Sequence, residues 1–336
     1  MKCKKIFTLL PAAVMLLSLA ACSESEQVKE EKKTDGQVTV YIRSEMSYSQ
    51  DGTKQTTKYK YDENGNVVKM SLYEADEEVN SIKIEYEDGK RVKMVSYRDG
   101  EESEVTKYKY DDDGRMIKET TTENGTETYR CEYVYDKDGN VVEETDYYQG
   151  QEDFRREYTY DEDGNKIEEV YYYEGQESSR YQYEYDKNGN VVREITYENG
   201  RQTEVREYEY NKKGKPITEI SYHNGEESYR CEYEYDKDGN VIKETNYSDG
   251  EAYSYREYKY NKDGKLTEEN YYGTDEGNTS TEYKYDDNGC IKKIIETSDA
   301  FGEEERTYKY KEFTITRKQA EKLQKEYGSD VVVIAE

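Results

Sequence analysis

The sequence predicts an all-β fold, an array of antiparallel β-hairpin repeats with about 20 strands in a coiled sheet and a short C-terminal helix and strand as a cap. The residues between the turns are rich in Tyr, Val, Ile and Thr, which favour extended backbone. One glycine series recurs with a first interval of 24 residues and intervals of 25 thereafter: Gly65, Gly89, Gly114, Gly139, Gly164, Gly189, Gly214, Gly239, Gly264 and Gly289. In a second series, each glycine comes 11 residues after a glycine of the first: Gly100, Gly125, Gly150, Gly175, Gly200, Gly225 and Gly250.

Each repeat is predicted to form one hairpin and the turn that leads to the next. In the unit 140–164, residues 140–147 and 152–160 alternate as strands and contain Val, Thr and Tyr. The turn Asp161-Glu-Asp-Gly-Asn165 suits a type I turn followed by a left-handed glycine and a bulge. The dipeptides Asn199-Gly200 and Asp249-Gly250 suit two-residue type I′ turns. The repeats should therefore form a meander of hairpins with two kinds of turn.

Register follows from these turns. If Asp136 lies opposite Asn140 and Tyr148 opposite Gln151, one face should carry Tyr133, Tyr135, Val141, Tyr147, Phe154, Tyr158 and Tyr160. Tyr133 should then face Glu143, and Val141 should face Tyr158. A pairing offset of about 23 residues against the repeat of 25 staggers successive hairpins. With the right-handed twist of β-strands, this stagger predicts that the sheet coils into a spiral.

The opposite face is predicted to be mainly polar with one apolar residue per repeat. The apolar residues come three positions after the turn glycine: Val68, Val92, Ile117, Val142, Ile167, Val192, Ile217 and Ile242. A glutamate ladder comes two positions later and should lie on the same face: Glu119, Glu144, Glu169, Glu194, Glu219, Glu244 and Glu269.

The ends of the chain differ from the array. Residues 1–21 have a basic start, an apolar run and small residues at the end, which is typical of a secretory signal peptide. Residues 22–36 are polar and predict a flexible tether. The repeats should cover 37–311 and the cap 312–336. In the cap, Thr316 with Gln319 indicates a capping box, Gly328 a helix stop, and residues 331–335 a strand that covers the last strand of the array.

Two family resemblances follow from these residues. Leu19-Ala20-Ala21-Cys22 resembles the lipobox of bacterial lipoproteins, which implies cleavage before Cys22 and lipidation of that cysteine; ordinary secretion with an incidental cysteine is the alternative. The phrase Tyr-x-Tyr-Asp-x-x-Gly-Asn resembles the YD, or Rhs-type, repeats of bacterial surface and secreted proteins. That resemblance implies a hairpin sheet coiled into a hollow spiral or shell, which in some relatives encloses a toxin domain. The phrase and its variants stand at Tyr59–Asn66, Tyr108–Arg115, Tyr133–Asn140, Tyr158–Asn165, Tyr183–Asn190, Tyr208–Lys215, Tyr233–Asn240, Tyr258–Lys265 and Tyr283–Cys290.

Charge and chemistry exclude several classes of function. The formal net charge is −28, which argues against nucleic acid and anionic lipid headgroups as partners. Cys131, Cys231 and Cys290 are predicted to be unpaired thiols, because equivalent sites four repeats apart are too distant for a disulfide. His223 is expected to be an exposed turn residue. The pattern contains no nucleophile elbow, zinc-ligand spacing or phosphate loop, so the sequence predicts no enzyme.

Metal and cofactor binding are not predicted either. The Asp136-x-Asp138-Gly139-Asn140 turn contains the oxygen ligands that calcium prefers, but turn formation alone explains these residues. No glutamate follows at the spacing that closes a calcium loop.

The tyrosine stripe is the best candidate binding face, since tyrosine rings can stack on sugars or proteins; the alternative is that the stripe only packs the sheet. We expect a lipid-anchored protein on the bacterial cell surface or periplasmic face. Its role would be non-catalytic binding, adhesion or scaffolding, with a surface glycan or envelope protein as partner. A component of a toxin or competition system, by family analogy, and a glycan-active envelope enzyme are the alternatives. The candidate face comprises Tyr133, Tyr135, Tyr147, Tyr158, Tyr160, Tyr183, Tyr185, Tyr197, Tyr208, Tyr210, Tyr233 and Tyr235.

Overall fold

A computed structural model describes residues 37–50, 53–273 and 277–334, which form one antiparallel sheet and a short C-terminal helix. The predicted signal peptide, Cys22 and the tether lie outside the described residues. The helix α1 is Arg317–Tyr327, and a 3-10 segment, Gly328–Asp330, follows it. The strands are β1 Gln37–Gln50, β2 Thr53–Tyr61, β3 Val67–Glu74, β4 Glu77–Glu87, β5 Lys90–Arg98, β6 Glu101–Tyr110, β7 Met116–Glu123, β8 Thr126–Tyr135, β9 Val141–Tyr148, β10 Gln151–Tyr160, β11 Lys166–Tyr173, β12 Gln176–Tyr185, β13 Val191–Glu198, β14 Arg201–Tyr210, β15 Pro216–His223, β16 Glu226–Tyr235, β17 Val241–Ser248, β18 Glu251–Tyr260, β19 Leu266–Gly273, β20 Thr279–Tyr285, β21 Ile291–Ser298, β22 Gly302–Thr316 and β23 Val331–Ile334.

The first and last long strands pair with each other and close the sheet. β1 pairs with β2 through residues 45–50 on one edge and with β22 through residues 37–49 on the other. Strands β1–β22 therefore form a complete ring, and the predicted coil becomes a closed cylinder. From the spacing and usual tilt of strands, a ring of this size is about 40 Å across. The ring has 22 strands rather than the predicted 20, because the segments at the two ends of the array, β1 and β22, also form long strands.

Both predicted turn types are present. In the longer turn, the Asp161 N–H donates to the Asn165 carbonyl at 2.9 Å and the Gly164 N–H to the Asp161 carbonyl at 3.2 Å. Gly164 has a φ of 85°, the left-handed conformation that such a turn requires. In the tight turn, Gln149 and Gly150 have φ values of 50° and 80°, as in a type I′ turn. The turns thus alternate along most of the array, with the longer turns at one end of the cylinder and the tight turns at the other. The exception is Asp88-Gly89, a two-residue turn at the end that otherwise carries the longer turns.

The register contains two bulges per repeat that the sequence analysis did not predict. Tyr135 lies opposite Val141, as predicted, but one extra residue on β9 then places Tyr133 opposite Glu144 rather than Glu143. A second extra residue, on β10, leaves Phe154 opposite Asp146, so the predicted pairing of Val141 with Tyr158 is also wrong. A bulge changes the face on which the following residues lie. The two bulges together preserve the predicted offset between repeats.

The C-terminal helix forms as predicted, but the last strand pairs elsewhere. The Thr316 hydroxyl accepts a hydrogen bond from the Gln319 N–H at 3.2 Å, and the Gln319 side chain accepts one from the Thr316 N–H at 2.9 Å. Gly328 ends the helix. The predicted cover of the last strand, a helix followed by a strand, is present only in its helical part: α1 packs with Phe313 and Ile315 of β22, whereas β23 pairs with β1 over residues 39–42. β1 itself occupies the edge of β22 and leaves β23 only the part of its own edge that β2 does not reach.

Buried apolar side chains concentrate where the two ends of the chain meet. β1, β22, α1 and β23 contribute one cluster there, and Gly65 of the first longer turn approaches the Leu323 side chain. Helix α1 therefore lies at the end of the cylinder that carries the longer turns. The cluster consists of Val38, Val40, Ile42, Phe313, Ile315, Ala320, Leu323 and Val331.

We expect Leu323→Ala to destabilise the closure of the sheet. Leu323 is 1% exposed, and truncating such a side chain costs about 2–5 kcal/mol because a cavity remains. Ile117→Ala is the control, since Ile117 is 37% exposed on a strand interior. Thermal unfolding, combined with amide hydrogen exchange in β1 and β22, measures the difference. Equal losses for both variants would contradict a closing role for the cluster.

We also expect Asp161→Ala to lower the Tm by roughly 2 °C and Asp161→Asn to change it little. The Asp161 carboxylate accepts hydrogen bonds from the backbone N–H groups of Asp163 and Asn165, and Asn211 holds the equivalent turn with its amide oxygen. The Asn165 side chain and these N–H groups lower the pKa of Asp161, so its contribution is complete above the ordinary aspartate pKa and is lost as the pH falls through the lowered value. The Tm difference between wild type and Asp161→Ala should therefore shrink in acid, which pH-dependent melting checks.

Candidate functional site

One face of the sheet combines the first tyrosine of each phrase with the glutamate ladder. These residues lie directly opposite each other on neighbouring strands: Tyr133 and Glu144, Tyr158 and Glu169, Tyr183 and Glu194, Tyr208 and Glu219, Tyr233 and Glu244, Tyr258 and Glu269. The prediction that the glutamates share the opposite face was wrong, because the bulge after each longer turn changes the face of the residues that follow it. The Tyr–Glu face is the less exposed one, as expected for the concave side of a closed sheet, on which side chains converge. The Glu169 side chain is 9% exposed, whereas that of Glu184 on the other face is 57% exposed. We call these the inner and outer faces.

The candidate tyrosines divide between the two faces. The inner face carries Tyr133, Tyr135, Tyr158, Tyr160, Tyr183, Tyr185, Tyr208, Tyr210, Tyr233 and Tyr235. Tyr147 and Tyr197 lie on the outer face, opposite Arg130 and Arg180, so their predicted place in the stripe was wrong. The Arg130 guanidinium lies 3.7 Å from the centre of the Tyr147 ring. The cause is again the bulge on β9, which shifts Tyr147 away from the face of Tyr133.

The second tyrosine of each phrase connects successive hairpins. Its hydroxyl donates a hydrogen bond to the backbone carbonyl 19 residues earlier, as Tyr135 does to Met116 at 2.7 Å and Tyr260 to Val241 at 2.9 Å. The same bond recurs at Tyr86, Tyr110, Tyr160, Tyr185, Tyr210, Tyr235 and Tyr285. The acceptor carbonyl lies beside the bulge, where the ladder is interrupted. These hydroxyls therefore form hydrogen bonds inside the sheet and are not available as donors to a ligand.

In five phrases, those that begin at Tyr158, Tyr183, Tyr208, Tyr258 and Tyr283, the first tyrosine bonds to the glutamate ladder. Tyr158 donates to Glu144 at 3.2 Å, Tyr208 to Glu194 at 3.4 Å and Tyr258 to Glu244 at 3.3 Å. Burial raises the pKa of Tyr208 to about 12. Such hydroxyls stay protonated and remain donors at neutral pH. The regular tyrosines thus make contacts that hold neighbouring strands together.

The cluster Cys131, Glu144 and Asp146 has the donor atoms of a metal site, all within 4.8 Å of one another. Arg156 forms ion pairs with Glu144 at 2.7 Å and with Asp146 at 3.1 Å. Cys131 is fully buried, and burial raises the pKa of its thiol, which favours the neutral form. Arg156 therefore supplies the positive charge that the two carboxylates require. Cys131, Cys231 and Cys290 are free and buried, in agreement with the predicted unpaired thiols.

Four aromatic rings lie on the inner face at the tight-turn end, on the consecutive strands β8–β11. We call Tyr129, Tyr148, Phe154 and Tyr173 the aromatic rim. Tyr148 and Tyr129 are 5.3 Å apart between ring centres, and Phe154 and Tyr173 are 5.0 Å apart. Tyr148, Tyr173 and Phe154 are 53%, 45% and 39% exposed. The sequence analysis placed Phe154 correctly on the face of Tyr133, but none of the four residues was among the predicted binding residues, because these followed the repeating tyrosines.

The geometry defines a closed antiparallel β-hairpin repeat protein whose repeats are joined by tyrosine hydrogen bonds. The chain is similar to YD-repeat proteins: the Teneurin YD-shell family model matches residues 32–154, and the same phrase continues to Cys290. No curated protein sequence matches the chain. In the described part of the chain, no helix is long and apolar enough to cross a membrane.

Similar solved structures share only a low overall likeness. The pore form of a Tc holotoxin from Photorhabdus luminescens is 11% identical with a TM-score of 0.32, and 79% of this chain aligns with 18% of that one. A TcdB2–TccC3 complex is 12% identical with a TM-score of 0.32, and 80% of this chain aligns with 19% of that one. A porin-like protein from Bacteroides uniformis is 12% identical with a TM-score of 0.29, covering 82% of this chain and 97% of that one. The chain spans less than a fifth of the Tc chains that it matches.

We expect Tyr135→Phe to lower the stability of the sheet by about 1 kcal/mol, because the Met116 carbonyl loses its donor beside a bulge. Tyr147→Phe is the matched control, since its ring lies on the outer face against Arg130 and its hydroxyl has no hydrogen-bond partner among the described residues. Denaturant unfolding of both variants measures the difference. A Tyr147→Phe loss as large as that of Tyr135→Phe would contradict the linking role of the second tyrosine.

Proposed function

We propose that this protein is a lipid-anchored bacterial envelope protein that presents its closed sheet outside the cytoplasm for non-catalytic binding or scaffolding. The observation that carries the proposal is the order of segments: an apolar run that ends in Leu19-Ala20-Ala21-Cys22, a polar segment to residue 36 and then β1. Lipidation of Cys22 would anchor the chain, and the polar segment would separate the sheet from the membrane.

The direction of β1 supports a particular orientation. β1 begins at Gln37, at the end of the cylinder that carries the longer turns and α1. A tether that enters there would place the opposite end, with the tight turns and the aromatic rim, away from the membrane. The surface that carries exposed aromatic rings would then be the one that an external partner meets first.

The inner face supports a binding role rather than catalysis. Its carboxylates occur in a regular ladder, and most of them are paired with tyrosine hydroxyls or arginines, as Glu144 is with Tyr158 and Arg156. Acid–base catalysis needs carboxylates in contrasting environments. The paired carboxylates therefore help to hold the wall of the sheet together. Glu119 and Glu219 differ, since burial raises the pKa of each, but they are 100 residues apart in the sequence and do not form a pair of neighbouring carboxylates.

Cys22→Ala tests the anchor and the binding role together. In cells, we expect the wild-type protein in the membrane fraction and open to added protease, and the variant released into the soluble extracytoplasmic fraction. The variant, mixed with envelope fragments from cells that lack the protein, should sediment with them. Ser23→Ala is the control and should behave like wild type. A soluble wild-type protein would refute the anchor, and a variant that never sediments with envelope fragments would refute the binding role.

A further inference from the structure

The repeat itself shows which aromatic residues the fold does not need. At the positions equivalent to Tyr148, one repeat carries Tyr173, and five others carry polar residues and form the same hairpin: Arg98, Glu123, Glu198, His223 and Ser248. At the positions equivalent to Phe154, four repeats carry Glu104, Ser179, Glu204 and Ser254, and two carry Tyr129 and Tyr229. The sheet continues through these repeats with the same strand lengths and turns. The rings of the aromatic rim are therefore additions to the repeat, in contrast to the tyrosines of the repeated phrase.

The rings of the aromatic rim pack in two pairs, and those of Tyr148, Phe154 and Tyr173 keep exposed surface. Elsewhere the chain places its own cations over tyrosine rings, as Arg130 does over Tyr147 and Arg155 over Tyr172. Among the described residues, no arginine or lysine lies over a ring of the aromatic rim. Three exposed aromatic rings grouped on adjacent strands are unusual for a surface that only faces water. These rings offer flat apolar surfaces for stacking.

A cavity of about 580 Å³ adjoins the rings of Tyr129 and Tyr148. Its other walls include the carboxylates of Glu104 and Glu123 and the amide of Gln151. A second cavity of about 530 Å³ lies on the other side of Tyr148, where Glu152, Asp153 and Glu174 contribute carboxylates. Within the described ranges, Glu104, Glu123 and Glu174 form no ion pair. The site thus combines open rings with free acceptors and amide donors.

We propose that the aromatic rim binds a neutral oligosaccharide, with sugar rings stacked on Tyr148 and Tyr173 and sugar hydroxyls bonded to the flanking carboxylates and amides. The inference deepens the proposed binding function and rests on it. Sugar hydroxyls both donate and accept hydrogen bonds, which suits the mixture of carboxylates, amides and threonine hydroxyls around the cavity. Phosphate and sulfate groups only accept and would meet several carboxylates. A cationic ligand only donates and would leave the amide donors without acceptors.

The test uses the whole purified chain in detergent, so its result does not depend on where the anchor places the protein. Isothermal titration calorimetry with neutral hexasaccharides of glucose, mannose, galactose and xylose should detect binding of at least one of them. Tyr148→Ser and Phe154→Ser each copy a residue that the chain already carries at the equivalent position of another repeat, so the fold should be kept. Each should weaken binding tenfold or more. Tyr253→Ser, at an exposed tyrosine outside the aromatic rim, should leave binding unchanged.

Three outcomes would overturn the assignment. The first is that none of the four neutral hexasaccharides binds. The second is that Tyr148→Ser and Phe154→Ser bind as tightly as wild type, which would place the ligand elsewhere. The third is that hexalysine binds more tightly than the sugars and loses its affinity as salt is added, which would identify an acidic site for cations. Binding to the envelope through another surface would survive all three, so failure of this assignment is separable from failure of the proposed function.

Discussion

The pairing of β1 with β22 is the constraint on which the rest of this structure depends. A hairpin repeat buries little apolar surface alone, and a sheet of such repeats would leave a long unpaired strand at each end. Closure removes both edges, since β1 pairs along residues 37–49 with the last long strand. The same pairing brings Val40 and Phe313 together with Leu323, where the buried apolar residues concentrate. The apolar core of the cylinder therefore lies where β1 pairs with β22. Elsewhere, neighbouring strands are held together by backbone hydrogen bonds and by side-chain contacts on the inner face.

Side chains alternate between the two faces of a strand, so each inserted residue decides which of the following residues lie on the inner face. An odd repeat of 25 residues needs two unlike turns to return the same side chains to one face. The structure adds one bulge to each arm, and the two bulges leave the offset between repeats unchanged. Their local effect is large, because the residues between the bulges change face. Glu144 joins Tyr133 inside and Tyr147 moves outside. The inner wall consequently contains tyrosine, glutamate and arginine, and most of these groups have partners on the neighbouring strands, as Glu144 has in Tyr158 and Arg156.

The features encoded by local chemistry could be predicted, and those set by long-range register could not. Asp and Gly in the longer turn and Asn-Gly in the tight turn determine their own backbone conformations, and Thr316 with Gln319 determines the start of α1. The bulges have no such signature, since Val142 and Asp153 are ordinary strand residues. Closure depends on the stagger summed over the whole ring. For the candidate site, the repeated phrase identified the inner tyrosines correctly, but it directed attention to residues that hold the sheet together. The signal for the aromatic rim was the opposite one, aromatic residues in adjacent repeats at positions where most other repeats carry polar residues.

This contrast has a physical basis that extends beyond the aromatic rim. A side chain that recurs in every repeat meets the same neighbours each time, so its hydrogen bonds can be satisfied within the sheet, as those of Tyr135 and Tyr158 are. A side chain that occurs in only a few repeats lacks a partner residue that recurs with it in every repeat. Tyr148 and Phe154 therefore keep exposed ring surface at the end of the cylinder, although they lie on the same inner face as the buried tyrosines. In a quasi-periodic sheet, regular residues supply cohesion, and the places where the period is broken are those with surface left for a ligand.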